Sequence, residues 1–148
     1  MPERIAPLLW DAHGNLPVAA GVDIGVLELH RSIGFDVLSL NVGYDPVGLP
    51  RTLQAIAWIR EVITVSDRFA LVGTVAEIEA AKAAGRLAIA FDLEGALCLG
   101  GRPEMVHVYA DLGVRQMALA YNRSNPIAAG CYDPDTPLPD LGRTVVRE

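Results

Sequence analysis

Residues 88–95 read Ala-Ile-Ala-Phe-Asp-Leu-Glu-Gly, and the order of apolar and acidic residues in this stretch indicates the fold class. An apolar run that passes into two carboxylates and a glycine is typical of a buried parallel strand that surfaces at its carboxyl end. Asp92 and Glu94 are two residues apart, so on a regular strand their side chains point to the same face. Acids in this position are typical of the catalytic end of a barrel strand, but also of solvated loops that follow strands, and both interpretations stay open at this point.

The pattern of a short apolar run followed by a helix-like segment recurs along the chain. Alternation of this kind predicts parallel strands joined by right-handed crossovers. In the first helix, the apolar face is predicted to contain Val22, Val26, Leu29 and Ile33. The predicted strands are 8–10, 36–42, 69–72, 87–93 and 114–121, and the predicted helices are 22–33, 53–65, 75–84, 104–112 and a last one that begins at 141.

Two architectures fit this alternation, a doubly wound sheet and part of a (β/α)₈ barrel. No Gly-x-Gly-x-x-Gly or Walker A sequence follows any predicted strand, which argues against a nucleotide-binding sheet. A complete barrel needs about 250 residues. We therefore expect residues 1–148 to form a single domain, an incomplete barrel of about five parallel βα units that corresponds to the N-terminal part of a hydrolase barrel.

The charge, hydropathy and cysteine content of the chain exclude several classes of binding partner and of cellular location. The chain has 12 basic and 18 acidic residues, a net charge of −6, which argues against nucleic acid or an anionic membrane surface. No stretch is apolar for long enough to cross a bilayer, and residues 1–7 lack the features of a secretion signal. The expected location is therefore the cytoplasm. Cys98 and Cys131 have no metal-type spacing and are interpreted as free thiols.

Two residues that end different predicted strands are candidate metal ligands. His13 follows the first strand, between Asp11 and Asn15, and Glu94 follows the fourth. Ligands of barrel hydrolases come from the ends of several strands, because several groups must converge on one ion. An imidazole supplies a neutral nitrogen, and a carboxylate can bridge two divalent ions through its two oxygens.

Several blocks of sequence resemble one family in order and spacing. Residues 11–17, Asp-Ala-His-Gly-Asn-Leu-Pro, resemble the Asp-Gly-His-Asn-Asp-Leu-Pro signature of the membrane dipeptidase (renal dipeptidase) metallopeptidases. Residues 80–90, which run into Leu93-Glu94-Gly95, are similar to a helix-strand passage of that family that ends in Glu-Gly. Further similar blocks are 112–117, 121–126, 130–131 and 141–148.

The resemblance implies a (β/α)₈ barrel with two zinc ions that hydrolyses dipeptides, including those with a C-terminal D-residue, by a metal-bound hydroxide. By position, His13 would be a ligand of the first zinc, and Glu94 would be the bridging ligand and a catalytic residue. Asn15 falls where the family has an acid, and it can coordinate through its amide oxygen without adding charge. Tyr121 replaces a histidine that helps to hold substrate.

Other residues are assigned from their position alone. Asn122 and Arg123 follow Tyr121 and are candidate substrate-binding residues. Arg123 and Asn125 follow the fifth strand, where a guanidinium can meet a substrate carboxylate; a role in bracing the loop is equally compatible. Asp92 is expected to shape the mouth of the site or to bond a neighbouring loop. Asn41 and Tyr44 could line the pocket but are expected to belong to a capped turn, and His30 and His107 are expected to lie on helix surfaces or to be partly packed.

The resemblance also implies two histidine ligands and a catalytic acid that would follow residue 148. If the chain is complete as it stands, half of the zinc ligands and the closing strands are missing, and a hydrolase of this length is expected to be inactive. One alternative is therefore a non-catalytic barrel fragment that pairs through its open sheet edge with a partner chain or in a homo-oligomer. Another is a barrel hydrolase that acts on a small amide other than a dipeptide.

Overall fold

The computed structural model describes residues 7–148, in which five parallel strands alternate with helices. Residues 1–6 of the N-terminal stretch that is expected not to be a secretion signal lie outside the described residues. None of the helices between residues 7 and 148 combines the length and apolar character needed to cross a membrane. The strands are β1 (Trp10–Asn15), β2 (Val37–Tyr44), β3 (Phe69–Leu71), β4 (Leu87–Glu94) and β5 (Val114–Ala118), and the helices are α1 (Glu28–Ser32), α2 (Gly48–Thr64), α3 (Val75–Ala83), α4 (Met105–Asp111) and α5 (Asp140–Arg147).

The order of the strands in the sheet is β1-β2-β4-β3, and β5 also pairs with β4. Strand β3 pairs with residues 87–89 at the start of β4, and β5 pairs with residues 91–94 at its end. The two strands therefore share one edge of β4. This arrangement makes β4 the centre of the sheet, and its residues 87–93 are buried, as the Ala88–Gly95 stretch predicts for a parallel strand.

The two faces of the sheet carry different side chains. Large apolar residues of β2 and β4 pack on one face against α2, α4 and α5 in the main core. On the other face, a smaller cluster contains Val37 of β2, Ala88 and Ala90 of β4, and Ala81 of α3. A recess of about 190 Å³ on this second face is lined by residues that include Val37 and Ala90. Residues of the main core include Leu38, Leu40, Ile56, Ile59, Ile63, Ile89, Phe91, Tyr109 and Val145.

The first predicted helix is partly wrong. Residues Ile24–Leu27 form a 3₁₀ turn, and α1 covers only Glu28–Ser32. Val26, Leu29 and Ile33 are more than half exposed, whereas Ile24 and Leu27 are buried. The physical reason is the tighter winding of the 3₁₀ turn, which places residues three apart on one side instead of following the 3.6-residue period.

The first strand is also predicted in the wrong place, at 8–10, because its polar residues resemble a loop; the structure has it at Trp10–Asn15. The remaining elements lie closer to their predicted positions. Thr74 and Glu77 form the predicted capping box at the start of α3. Helix α2 begins at Gly48, five residues earlier than predicted, and β5 ends at Ala118, three residues before Tyr121. Strand β1 begins at Trp10 and continues through His13 to Asn15, so these polar residues belong to the strand itself.

Candidate metal site

Irregular strand pairing surrounds the polar end of the sheet. On β1, the step from Asp11 to Gly14 spans three residues, whereas the facing step on β2 spans two, so a bulge contains His13. A similar irregularity lies between Asn41 and Tyr44 of β2. Bulges redirect side chains and are frequent next to active sites. Here they bring side chains of β1, β2 and β4 to a common place.

His13 lies between the two acids of β4. Its Nδ1 is 3.2 Å from Oδ2 of Asp92, and its Nε2 is 3.4 Å from Oε1 of Glu94. The Nδ2 atom of Asn15 is 3.2 Å from the same Nε2. The structure thus brings together His13, Asn15 and Glu94, the three candidate metal ligands. It also places Asp92 in contact with His13, which the sequence did not predict.

The carboxylate of Glu94 is held from a second strand. The side-chain amide of Asn41, on β2, donates from Nδ2 to Oε2 of Glu94 over 3.3 Å, while its Oδ1 accepts a hydrogen bond from the Gly43 N–H over 2.9 Å. Asn41 is buried. The expectation that Asn41 belongs to a capped turn is therefore incomplete, because its side chain also orients Glu94.

Asp92 is the buried acid of the site, with 2% of its side chain exposed. Burial raises the pKa of its carboxyl to about 6, although the neighbouring His13 favours the charged form. Glu94 and Asp11 add negative charge nearby and raise this pKa further. A buried acid beside an imidazole in a polar recess is typical of a functional site.

The raised pKa of Asp92 predicts a pH-dependent stability in the metal-free chain. Because the folded-state pKa lies above the ordinary 3.8, the free energy of unfolding falls as pH rises from about 4 to about 6 and then levels off. The loss has an upper bound of about 3 kcal/mol. We expect Asp92→Asn to be more stable than the wild type at pH 8, by about 1–3 kcal/mol, and to show a smaller difference at pH 4. Urea denaturation at both pH values measures this.

Asp36→Asn is the matched control for this prediction. Burial raises the pKa of Asp36, but hydrogen bonds from Lys82 Nζ and the Leu9 N–H, at 2.8 and 2.9 Å, outweigh burial and hold it below its ordinary value. The sign is therefore opposite, and Asp36→Asn should lose stability at pH 8. Equal pH profiles for the two variants would contradict the assignment of Asp92 as a costly buried charge.

The donor atoms around His13 fit part of a metal site. Two ligands of a tetrahedral zinc, each roughly 2.0–2.1 Å from the ion, are about 3.3 Å apart. This matches the 3.4 Å between His13 Nε2 and Glu94 Oε1. A half-turn of the Asn15 amide would present its oxygen in place of its nitrogen, the two being assigned only by their partners. Between residues 7 and 148, no group of three or more His, Cys, Asp or Glu side chains is arranged to hold an ion, so the set is incomplete in that range.

The candidate substrate residues line a separate recess of about 450 Å³ near the same end of the sheet. Asp45 is one of its lining residues and accepts hydrogen bonds from the Leu97 N–H, the Tyr121 N–H and Asn125 Nδ2 at 2.9–3.1 Å. The rings of Tyr44 and Tyr121 meet edge to face, with centroids 5.7 Å apart. Asp45 therefore ties together the loops that follow β2, β4 and β5, a role that the sequence did not indicate.

Arg123 and Asn122 brace the long loop before α5. Arg123 Nη1 is 3.0 Å from Oδ1 of Asp133, and its guanidinium lies over the ring of Tyr132. The carbonyl of Asn122 accepts a hydrogen bond from the Tyr132 N–H over 3.0 Å. Both residues line the recess, so binding of substrate remains compatible with bracing of the loop.

The other two histidines lie away from Glu94 in different settings. His30 Nε2 is 3.1 Å from Oδ2 of Asp11, and its ring packs against Phe35. His107 pairs with Glu148 at the surface, at 2.8 Å. His107 is therefore a surface residue of α4, whereas His30 of α1 is partly packed.

Solved structures of similar fold come from hydrolases. An amidohydrolase from Pseudomonas aeruginosa is similar over 95% of this chain and 42% of its own, with 25% identity and a TM-score of 0.83. The dipeptidase AC, a metallopeptidase of family M19, is similar over 95% and 52%, with 17% identity and a TM-score of 0.77. A metallopeptidase from Rhodobacter sphaeroides, liganded with a phosphinate mimic of the dipeptide L-Ala-D-Ala, is similar over 95% and 55%, with 16% identity and a TM-score of 0.77.

These similarities confirm the predicted fold, an incomplete α/β barrel, and the chain spans between 42% and 55% of the length of the three solved structures. No curated protein matches the sequence. The family model for membrane dipeptidases matches residues 27–148, a segment that contains Glu94 and Tyr121 but not His13. The chain belongs to the membrane dipeptidase family, peptidase family M19.

Proposed function

We propose that this chain forms the N-terminal part of a zinc-dependent dipeptidase, in which His13, Glu94 and Asn15 contribute metal ligands. The observation that carries the proposal is the 3.4 Å contact between His13 Nε2 and Glu94 Oε1, across β1 and β4. Family membership supports a metal-dependent hydrolase. The dipeptide mimic bound by the Rhodobacter sphaeroides metallopeptidase supports a dipeptide as the substrate class.

Each residue of the site has a distinct proposed role. His13 supplies a neutral nitrogen ligand, and Glu94 supplies a carboxylate whose second oxygen is steadied by Asn41. When bound, zinc supplies Lewis-acid polarisation of the scissile carbonyl and activation of water. Asn15 offers an amide oxygen where the family has an acid, so we expect the first metal position to bind more weakly.

The recess between Asp45 and Tyr132 is the proposed substrate pocket. Its tyrosine rings offer apolar surface to a side chain, and Tyr121 offers a hydroxyl as donor. Arg123 can bind a substrate carboxylate if it exchanges Asp133 for the ligand. The recess therefore offers both an apolar surface and a cationic group to a dipeptide.

Hydrolysis of L-Ala-D-Ala in the presence of zinc, by a longer protein that contains this chain together with the remaining ligands of the family, tests the proposal. His13→Ala and Glu94→Gln should each lower kcat/KM at least about 100-fold, the upper end of losses seen when only an outer partner of a metal ligand is disturbed. His107→Ala is the control, because its contact with Glu148 is at the surface. Wild-type kcat/KM in either site variant would contradict the proposed site.

A second candidate function is a non-catalytic barrel fragment that pairs with another copy of this chain. Within residues 7–148, β5 is paired only on its β4 side. An apolar groove of about 680 Å³ lies beside it, lined by residues that include Val106, Met117 and Val146. Stable dimers in sedimentation, together with no zinc and no hydrolysis, would favour this candidate over the dipeptidase.

A further inference from the structure

The surroundings of the His13 ring are asymmetric. On one side, Nδ1 faces Oδ2 of Asp92, whose side chain is almost fully buried, at 3.2 Å. An ionised carboxylate only accepts hydrogen bonds, so this contact requires a proton on Nδ1. On the other side, Nε2 faces an amide that can donate to it, Nδ2 of Asn15 at 3.2 Å.

The position of Glu94 agrees with a lone pair on Nε2. Its Oε1 is 3.4 Å from Nε2, longer than a charge-assisted hydrogen bond between nitrogen and a carboxylate, which is about 2.7–2.9 Å. A neutral Nε2 and a carboxylate oxygen that face each other at this distance are two electron-pair donors. They are better matched to a shared cation than to each other.

His30 provides a contrast within the same molecule. Its Nε2 is the nitrogen that meets a carboxylate, Oδ2 of Asp11 at 3.1 Å, while its Nδ1 is buried without a hydrogen-bond partner. The two histidines are therefore held by acids at opposite nitrogens. The same argument predicts the proton on Nε2 for His30.

We propose that Asp92 is a positioning residue that holds His13 in the tautomer with its proton on Nδ1, and so presents Nε2 to the metal. The statement that Nε2 binds a metal rests on the proposed function. The assignment of the tautomer does not depend on it. Carboxylates that accept a hydrogen bond from a metal-ligating histidine orient its ring and raise its basicity. Asp92 would act through His13 without touching the metal.

Nitrogen-15 NMR of the metal-free chain at pH 8 tests the tautomer directly. Long-range proton-nitrogen spectra distinguish protonated from unprotonated ring nitrogens, and the His13 signals are identified by their loss in His13→Gln. The expected result is a proton on Nδ1 of His13 and, as an internal reference, on Nε2 of His30. In Asp92→Ala, His13 should shift to the Nε2-protonated form, with Glu94 as acceptor, while His30 stays unchanged.

The wild-type spectrum decides the inference even if Asp92→Ala fails to fold. A His13 ring protonated on Nε2 in the wild type would overturn it, and so would an Asp92→Ala spectrum in which His13 keeps its Nδ1 proton.

Zinc affinity, measured by competition with a chromophoric chelator, separates this inference from the proposed function. We expect Asp92→Asn to bind zinc about 10–100-fold more weakly than the wild type. A wild type that binds no zinc would contradict the proposed function, whereas the NMR result would still decide the tautomer. Equal zinc affinities of wild type and Asp92→Asn would overturn the positioning role and leave the proposed metal site in place.

Discussion

Replacement of Gly95 by alanine should destabilise the chain by about 3–5 kcal/mol, a large effect for a single methyl group. Gly95 follows Glu94 directly and has a φ of +129°, a region that side chains rarely adopt. An added Cβ would lie 2.1 Å from Oδ1 of Asp45. The strain and the displacement of Asp45 act together, because Asp45 accepts the hydrogen bonds that tie down Leu97 and Tyr121. Urea denaturation measures the change in the free energy of unfolding.

Gly100→Ala is the matched control for Gly95→Ala. Gly100 also has a positive φ, +62°, but no atom lies within 4 Å of the position that its Cβ would take. This variant should cost only the backbone penalty of about 1–2 kcal/mol. Equal losses at Gly95 and Gly100 would mean that the contact with Asp45 contributes nothing.

The second large effect that we expect is a loss of zinc affinity in Glu94→Gln. Glutamine keeps the size of the side chain but removes the negative charge and replaces one carboxylate oxygen with an amide nitrogen. We expect zinc affinity to fall at least about 100-fold, more than for loss of a residue that only positions a ligand. Equilibrium competition with a chelator measures the affinity, and circular dichroism checks that the fold is retained.

Glu148→Gln serves as the control for Glu94→Gln. Glu148 also contacts a histidine, His107, at 2.8 Å, but the pair lies at the surface. If Glu148→Gln lost as much zinc affinity as Glu94→Gln, the assignment of the metal to His13 and Glu94, instead of His107 and Glu148, would be contradicted. Unchanged zinc affinity in Glu94→Gln would contradict the role of Glu94 as a ligand.

The elements that local sequence determines were predicted well. Strand β4 could be predicted from its apolar run and the two acids at its end alone. The capping box of α3 could be predicted from Thr74 and Glu77 alone. The segment before α1 differs from the predicted helix because the sequence contains two apolar patterns. One has the helical 3.6-residue spacing, and the other places Ile24 and Leu27 three residues apart. The structure buries the second pair, in a 3₁₀ turn that packs into the main core.

Contacts between side chains of different strands were harder to predict from the sequence. The alternation rule placed Asp92 and Glu94 on the same side, and the structure agrees, since both face His13. It could not show that a bulge in β1 would bring His13 across β2 to reach them. Asp45 looked like an ordinary turn residue, because its partners at 97, 121 and 125 lie more than 50 residues away.

The proposed site requires a divalent cation between His13 of β1 and Glu94 of β4. An anomalous difference map at the zinc edge, from a crystal of this chain grown with zinc, would locate that cation. We expect a peak in contact with Nε2 of His13 and Oε1 of Glu94. A peak confined to the surface pair of His107 and Glu148, or no peak at all, would contradict the proposed site.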